Sequence, residues 1–305
     1  MVRLSKKNFL IKSLSAVETL GETTVIFTDK TGTLTKNELT VHSFCLPQEE
    51  LLKVDWHGTK PELEGKKQEA ADANFKELLK ISVLANDASL GNPKETTSEG
   101  IEEDKRSPQK KEPKADKDPA AKTAKGDPLE IALLDFVSKY DRQLDEDLQQ
   151  LQRELHDPFD SESMVMGTIY REDEEFYVAG KGSTDAILSR SRQILKDGNL
   201  EEFTEEERET WNERNNEMAE DGLRVLGFAY KKVKDLPTAK EAADFLHEIV
   251  FMGLLGLLDP SRKDVATAVR TCKAPGTNLV TVTGDHPGPA QIAVSFTRLM
   301  LTRVV

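Results

Sequence analysis

Cysteine is scarce in this sequence, since Cys45 and Cys272 are the only two in 305 residues. Two thiols so far apart exclude a disulfide framework and a cysteine-based zinc pattern, and they fit a reducing compartment. Basic residues are outnumbered by acidic ones, and the net charge of −13 argues against nucleic acid as a partner. The composition therefore points away from disulfide-rich secreted proteins and from nucleic-acid-binding proteins.

Long apolar runs are also lacking. The longest, residues 250–258, is far shorter than the about 20 residues that a membrane-spanning helix needs. No signal-peptide pattern follows Met1. We therefore expect this chain by itself to be soluble and cytoplasmic, with no membrane span and a length that suits roughly two domains.

The most informative segment is DKTGTLT at residues 29–35, which directly follows the apolar run 24–27. This pattern predicts a buried strand that ends in a tight turn, with Asp29 at the carboxyl end of a parallel strand, where open α/β sheets bind ligands. Gly32 would let the backbone approach a phosphate, and an aspartate there can act as a covalent nucleophile toward a phosphoryl group. Hydroxyls that can donate hydrogen bonds come from Thr31, Thr33 and Thr35.

A second strand-to-turn pattern lies far later in the chain, where residues 279–283 lead into Gly284 and Asp285. Two parallel strands so distant in sequence indicate a doubly wound sheet that is split by a large inserted domain. Within the insert, apolar spacing predicts helices at 75–86 and 129–140 and a solvated helix at 201–219. Strands are predicted at residues 165–170, 176–179 and 225–230.

Two other segments have distinctive compositions. Residues 92–126 contain almost no large apolar side chains and many Lys, Glu, Asp and Pro residues, so we expect them to be disordered. Residues 4–20 mix basic and apolar positions in a spacing that suits an amphipathic segment.

The segment DKTGTLT resembles the phosphorylation motif of P-type ATPases, the ion pumps that pass through an aspartyl-phosphate. Further sequence motifs of that family occur here in the same order, with some residues replaced. Leu129 replaces a usual Thr, Ser163 stands where Lys or Arg is common, Ser261 replaces a proline and Pro289 replaces a Thr. The matching segments are GDPLEIALLDF (126–136), DPFDSESMVMG (157–167), KGSTDAIL (181–188), GLRVLGFAY (222–230), GLLDPSR (256–262) and VTGDHPGPA (282–290).

The resemblance implies an α/β fold. It consists of a partial haloacid-dehalogenase-like (Rossmann-like) phosphorylation domain with an inserted α+β nucleotide-binding domain. Residues 1–22 would form a stalk-like segment, and residues 45–250, including the disordered insert 92–126, would form the nucleotide-binding domain. The phosphorylation domain would comprise residues 23–44 and 251–305.

The resemblance also implies roles for particular residues, with ATP and Mg²⁺ as cofactors. In the catalytic motif of Asp29, Lys30 and Thr31, Asp29 would attack the γ-phosphate. Its carboxylate and the Thr31 carbonyl would hold Mg²⁺. The Thr283 hydroxyl and the Gly284 amide would steady the phosphoryl group.

Other residues would bind the nucleotide. Adenine would stack on Phe159, with Glu130 in the same pocket. Lys181, next to Gly182, and Arg224 would attract the negatively charged phosphates of the nucleotide. The ribose and polyphosphate would meet Asp259, Arg262 and Asp285. From the residues alone, simpler interpretations stay open: Phe159 as a core residue, Lys181 as a turn residue and Arg224 as a surface strand residue.

The family's GDGxND and TGES-type segments do not occur in this sequence. We therefore expect the chain alone to be inactive in turnover and transport, as the ATP-binding and aspartyl-phosphate-forming portion of a type II cation-transporting pump. One alternative is a phosphatase of the haloacid-dehalogenase class, but Thr31 stands where that class has a second Asp. Another is a non-catalytic nucleotide-binding or partner-binding remnant that associates with a full-length pump. The sequence does not identify the transported ion.

Overall fold

The computed structural model describes residues 19, 21–36, 38–47, 51–64, 69–91, 124–196, 198–237, 245–262, 264–274 and 276–282. The chain separates into two compact units. The smaller comprises residues 1–37, 220–222 and 259–305, and the larger comprises residues 38–219 and 223–258. The architecture is mixed α/β, as predicted. The predicted domain boundaries at 44/45 and 250/251 stay predictions of the sequence.

The larger unit is built on one mixed sheet. The strands are β2 (Thr40–Cys45), β3 (Leu52–His57), β4 (Lys60–Glu64), β5 (Arg153–Asp157), β6 (Val165–Glu172), β7 (Glu175–Gly182), β8 (Ser191–Lys196), β9 (Asn199–Glu202), β10 (Arg224–Val233) and β11 (Ile249–Leu258). The sheet runs in the order β4-β3-β2-β11-β10-β7-β6-β5, and β8 pairs in parallel with β11 and antiparallel with β9.

Alternation along the strands creates two hydrophobic clusters, one on each face of this sheet. On β7, Tyr177 and Ala179 belong to the first cluster, while Phe176 and Val178 belong to the second. Successive side chains of a strand point to opposite faces, so one apolar strand can serve both clusters. The helices of this unit are α1 (Glu69–Leu84), α2 (Pro128–Tyr140), α3 (Arg142–Leu148), α4 (Thr184–Arg190) and α5 (Glu205–Glu220).

Most predicted elements of the larger unit are confirmed. The helices at 75–86 and 129–140 correspond to α1 and α2, and the three predicted strands correspond to β6, β7 and β10. The solvated helix predicted at 201–219 is confirmed as α5, with two differences. Residues 201 and 202 lie in β9, and α5 buries Trp211 and Met218 against the second cluster.

The smaller unit contains β1 (Val25–Asp29), a π-helical turn (Lys30–Leu34), α6 (Val265–Lys273) and β12 (Asn278–Val282). The predicted parallel pairing is confirmed, with Asp29 opposite Val282. The prediction that the first strand is buried is wrong, because Phe27 is 69% exposed. A haloacid-dehalogenase-like fold for this unit stays a prediction.

Some predictions lie outside the described residues. They are the stalk-like segment apart from residues 19, 21 and 22, and the disordered insert apart from its last three residues. Within those three, Lys125 forms a two-hydrogen-bond bridge with Ser89. In the described ranges, no helix is both long and apolar enough to cross a membrane.

Candidate functional site

Phe159 lies on an ordered loop between β5 and β6. The Met164 N–H donates to the Asp160 carbonyl at 2.8 Å, and the Ser163 N–H donates to the Asp160 carboxylate at 2.8 Å. Hydrogen bonds from Ser163 to that carboxylate lower the pKa of Asp160. Phe159 itself is 56% exposed, so it is not a core residue. An exposed aromatic ring on a hydrogen-bonded loop is available for stacking.

Gly182 anchors this loop to the end of β7. The Ser183 N–H donates to the Met164 carbonyl at 2.9 Å, and Val165 pairs with Gly182 across the sheet. A Cβ at position 182 would lie 2.4 Å from the Met164 carbonyl oxygen. Only glycine therefore permits this close approach of the Phe159 loop to the strand.

Arg224 lies at the same end of the sheet. Strand β10 pairs with β7 as far as Gly227 opposite Gly182, and Arg224 is the exposed first residue of β10, three positions further out. Because the loop of Phe159 leads directly into Val165 opposite Gly182, the topology brings Phe159, Gly182 and Arg224 to one edge. An arginine at that edge suits phosphate binding.

Lys181 is in strand β7, and it is buried rather than part of a turn. Its Nζ donates to Glu130 Oε1 at 2.7 Å, and the two side chains are 6% and 12% exposed. Burial lowers the pKa of the Lys181 ammonium, and the neighbouring Glu130 carboxylate opposes that shift. The two predicted residues thus meet each other in an ion pair, and the pair is largely shielded from solvent.

Asp29 lies at the carboxyl end of β1, where it is exposed. The chain then enters the π-helical turn, in which Gly32 has φ 75°, and the Gly32 N–H donates to the Thr35 hydroxyl at 3.2 Å. Thr35 is completely buried, and its hydroxyl donates to Asp259 Oδ2 at 2.6 Å. The loop after Asp29 is therefore tied to a residue far away in sequence.

Arg262 provides a second tie to this loop. Its Nε donates to the Thr35 carbonyl at 3.0 Å and its Nη2 donates to the Gly32 carbonyl at 2.9 Å. Main-chain hydrogen bonds from Arg262 to Leu34 and from Lys36 to Pro260 run alongside. Asp259 and Arg262, which were expected at the ribose and polyphosphate, are bonded here to the loop that follows Asp29.

Residues 74–264 match the family model described as P-type ATPase, cytoplasmic domain N. This chain belongs to the P-type ATPase family. The family assignment made from the motifs is therefore confirmed, and the matched range includes the predicted nucleotide-binding residues of the larger unit. Asp29 lies before it.

The relatives of this P-type ATPase chain are named as transporters of different cations. It is 34% identical over 292 residues to Calcium-transporting ATPase 1 of Bacillus cereus, covering 94% of this chain and 28% of that protein. It is 31% identical over 291 residues to Calcium-transporting ATPase 1 of Lactococcus lactis, covering 95% and 28%. It is 29% identical over 295 residues to the Sodium/potassium-transporting ATPase subunit alpha of Hydra vulgaris, covering 93% and 26%. The chain thus spans little more than a quarter of the length of these relatives.

Sequence reasoning did not single out Asp87, which contacts both β5 and Glu130. Its carboxylate accepts from Arg153 Nη1 at 2.9 Å and lies 2.8 Å from His156 Nε2. Its main-chain N–H donates to Glu130 Oε2 at 3.2 Å. No local pattern signals this role, because Asp87 follows α1 while His156 lies on β5.

The remaining predicted residues are only partly described. Lys30 and Thr31 lie in the π-helical turn. Thr283, Gly284 and Asp285 lie outside the described residues. In the part of the chain that the structure describes, no three His, Cys, Asp or Glu residues cluster in a way that could hold a metal ion.

Proposed function

We propose that this chain is the ATP-binding and aspartyl-phosphate-forming portion of a cation-transporting P-type ATPase. The observation that carries the proposal is the exposed Phe159, held on a hydrogen-bonded loop at the sheet edge that also carries Gly182 and Arg224. An aromatic platform beside an arginine suits a ligand that joins a flat base to phosphates.

ATP would make two separate contacts with the protein, one through its base and one through its phosphates. Adenine would stack on Phe159, while the buried Lys181 ammonium is already paired with the Glu130 carboxylate. Because Glu130 neutralises Lys181, the exposed Arg224 would supply the uncompensated positive charge toward the phosphates.

The chemistry would take place at Asp29. One carboxylate oxygen would attack the γ-phosphorus of ATP and form an acyl-phosphate bond. The bond from that phosphorus to the β–γ bridging oxygen would break, and ADP would leave with the electron pair. The ties from Thr35, Asp259 and Arg262 would keep the loop after Asp29 in place during this step.

Magnesium is the proposed metal cofactor. The donors available at the end of β1 fit it, since the exposed Asp29 carboxylate and the Thr31 main-chain carbonyl are the oxygen ligands that this hard cation takes. When bound, the ion would neutralise charge on the phosphate oxygens. The family relationship supports coupling to cation movement, and the relatives' names do not agree on one cation.

The ATP-binding proposal is tested by calorimetry on the full chain. Phe159→Ala should weaken ATP binding about 5- to 150-fold, as expected for the loss of base–aromatic stacking. Leu200→Ala is the matched control, because Leu200 is 51% exposed on β9 of the same unit and should leave the affinity unchanged. Equal affinities for the wild type and Phe159→Ala would remove Phe159 from the site.

The phosphorylation proposal is tested by acid-stable labelling from γ-labelled ATP, on the chain extended to include a GDGxND segment. We expect the chain without that acidic segment to form little or no phosphoenzyme, because its magnesium site is incomplete. Labelling that is sensitive to hydroxylamine and lost in Asp29→Asn is the expected sign of an aspartyl-phosphate at this residue. Asp264→Asn is a suitable control, since Asp264 is an exposed carboxylate in the same unit. Label that persists in Asp29→Asn would show that another residue is phosphorylated, and ATP binding without any label would favour the non-catalytic alternative.

A further inference from the structure

Two exposed apolar side chains stand on the loop between β5 and β6. Phe159 is 56% exposed and Met164 is 43% exposed. The Asp160 N–H donates to the Val165 carbonyl at 3.3 Å, and the Met164 N–H donates to the Asp160 carbonyl at 2.8 Å. These bonds draw the two ends of the loop together, so the main chain at Phe159 and the main chain at Met164 lie on either side of its base. An aromatic ring and a thioether are both favourable contacts for a flat base.

Strand β7 fixes the main chain at Met164. The Ser183 N–H donates to the Met164 carbonyl at 2.9 Å, and this carbonyl can approach because Gly182 has no Cβ. A loop that is held in this way is already ordered when a ligand arrives. Binding at Phe159 and Met164 therefore does not require the loop to become ordered, which would lower the affinity.

Positive charge is scarce at the rim of the candidate site, which consists of three described segments: 159–165, 180–185 and 224–227. The basic residues of the rim are Lys181 and Arg224. The Lys181 ammonium is buried and already paired with the Glu130 carboxylate at 2.7 Å. Arg224 is therefore the one exposed basic residue of the rim, and it can pair with one phosphate.

Negative charge is more plentiful at the rim. Asp160, Glu162 and Asp185 are all exposed. A chain of phosphates would thus meet one available arginine and three carboxylates. Exposed ion pairs contribute little to affinity and like charges repel, so phosphates beyond the first should add no net affinity.

We propose that Met164 binds the base together with Phe159, and that the larger unit binds AMP, ADP and ATP with similar affinities. This inference rests on the proposed ATP binding and concerns the specificity of the same site. The base contacts the two apolar side chains, Arg224 meets the first phosphate, and the further phosphates stay in solvent. Adenosine, which has no phosphate for Arg224, binds more weakly than AMP.

The experiment is titration calorimetry of the full chain with adenosine, AMP, ADP and ATP. Mg²⁺ is left out, so that a metal ion does not link the phosphates to carboxylates of the protein. The dissociation constants of AMP, ADP and ATP should lie within about 5-fold of one another, the range of an exposed ion pair. Inorganic tripolyphosphate, which has the phosphates without the base, should not displace AMP.

Two substitutions at Met164 test its contact with the base. Met164→Ala should weaken the binding of all three nucleotides by a similar factor of about 2 to 10, from the loss of a sulfur–aromatic contact. Met164→Lys places a cation beside the base and should strengthen ATP binding relative to AMP binding by about 2- to 5-fold. Leu200→Lys is the matched control, because it adds the same charge at an exposed apolar position on β9, outside the rim, and should leave the ratio unchanged.

The outcomes separate this inference from the proposed function. If the wild type binds none of the four ligands, the proposed function fails. If it binds ATP more than about 5-fold more tightly than AMP, or if tripolyphosphate displaces AMP, the similar affinities are overturned. This comparison uses the wild type alone, so it does not depend on the folding of a variant.

The role of Met164 has its own contradicting results. Equal nucleotide affinities of the wild type and Met164→Ala would remove Met164 from the site. A ratio of ATP to AMP affinity that Met164→Lys leaves unchanged would do the same. A ratio that changes equally in Leu200→Lys would show a general effect of added charge and would also overturn the assignment.

Discussion

The absence of a Cβ atom at Gly182 allows the Met164 carbonyl to lie close to strand β7. A Cβ there would lie 2.4 Å from the Met164 carbonyl oxygen and 2.8 Å from Cγ1 of Val165. The first neighbour is main chain, so it cannot move aside as a flexible side chain could. Met164 is itself constrained, because its φ of 57° lies in the left-handed region that few non-glycine residues adopt. The loop of Phe159 is therefore held by steric fit as well as by hydrogen bonds.

We predict that Gly182→Ala destabilises the chain by about 1–3 kcal/mol, the usual cost of forcing extra atoms into a well-packed region. Gly227→Ala is the matched comparison, because Gly227 pairs with Gly182 across β10 and β7. Its nearest neighbour is Cβ of Ile187 at 3.1 Å, a much smaller overlap than the 2.4 Å at Gly182, so its cost should be smaller. Chemical denaturation measures both; equal losses would contradict the steric argument.

At the scale of elements, a cluster of polar side chains around the buried Tyr177 phenol joins α1 to the sheet. The Tyr177 hydroxyl on β7 donates to Glu77 Oε1 at 2.7 Å, and Lys80 Nζ lies 3.8 Å from the centre of the Tyr177 ring. Tyr230 of β10 stacks on Tyr177 with ring centres 5.7 Å apart. The polar group therefore joins one helix to two neighbouring strands.

This group predicts a loss of stability in alkali. Burial raises the pKa of Tyr177 well above its ordinary value and raises the pKa of Tyr230 to about 12. A raised pKa means that the fold favours the protonated phenol. The contribution of the protonated phenols to the stability of the folded state is thus complete below the pKa of tyrosine in the unfolded chain, about 10. It is lost as pH rises toward the pKa of these phenols in the folded state.

The free energy of unfolding should therefore decrease between about pH 10 and about pH 12. Tyr230→Phe removes one of the two titrating phenols while keeping its ring, so the decrease should be shallower in this variant. An equally steep decrease in Tyr230→Phe would mean that Tyr230 makes no contribution to it. Denaturant titrations at a series of pH values make the measurement.

At the scale of the whole molecule, the larger unit has two hydrophobic clusters and a single sheet between them. The two tryptophans report on them separately. Trp56 packs against the first cluster and donates from Nε1 to the Val41 carbonyl at 2.9 Å. Trp211 is in the second cluster, in edge contact with Phe251 at 4.7 Å between ring centres.

Because the strands serve both clusters, we predict that the two faces unfold together. In Trp56→Phe the fluorescence reports the second cluster, and in Trp211→Phe it reports the first. Within each variant, the fluorescence transition should coincide with the circular dichroism transition. A fluorescence midpoint that differs from the dichroism midpoint in either variant would show that the two faces are separate folding units.

Local patterns in the sequence predicted much of this architecture. Helical apolar spacing identified α1 and α2, and β-rich runs identified β6, β7 and β10. The prediction failed where an element's environment differs from its local composition. Phe27 is in a strand of apolar composition but is exposed, and Trp211 is buried within a helix of highly polar composition. Burial depends on which elements pack together, and a local window does not contain that information.

The sequence by itself determined the membership of the P-type ATPase family and the order of the motifs, because both are properties of the chain read along its length. The tertiary structure alone decided which of those residues meet. Lys181 pairs with Glu130, 51 residues earlier, and Thr35 bonds to Asp259, 224 residues later. Asp87 joins β5 to the buried ion pair although no motif contains it. Such contacts arise from strand register and helix packing, which bring distant side chains together through interactions that no short stretch of sequence records.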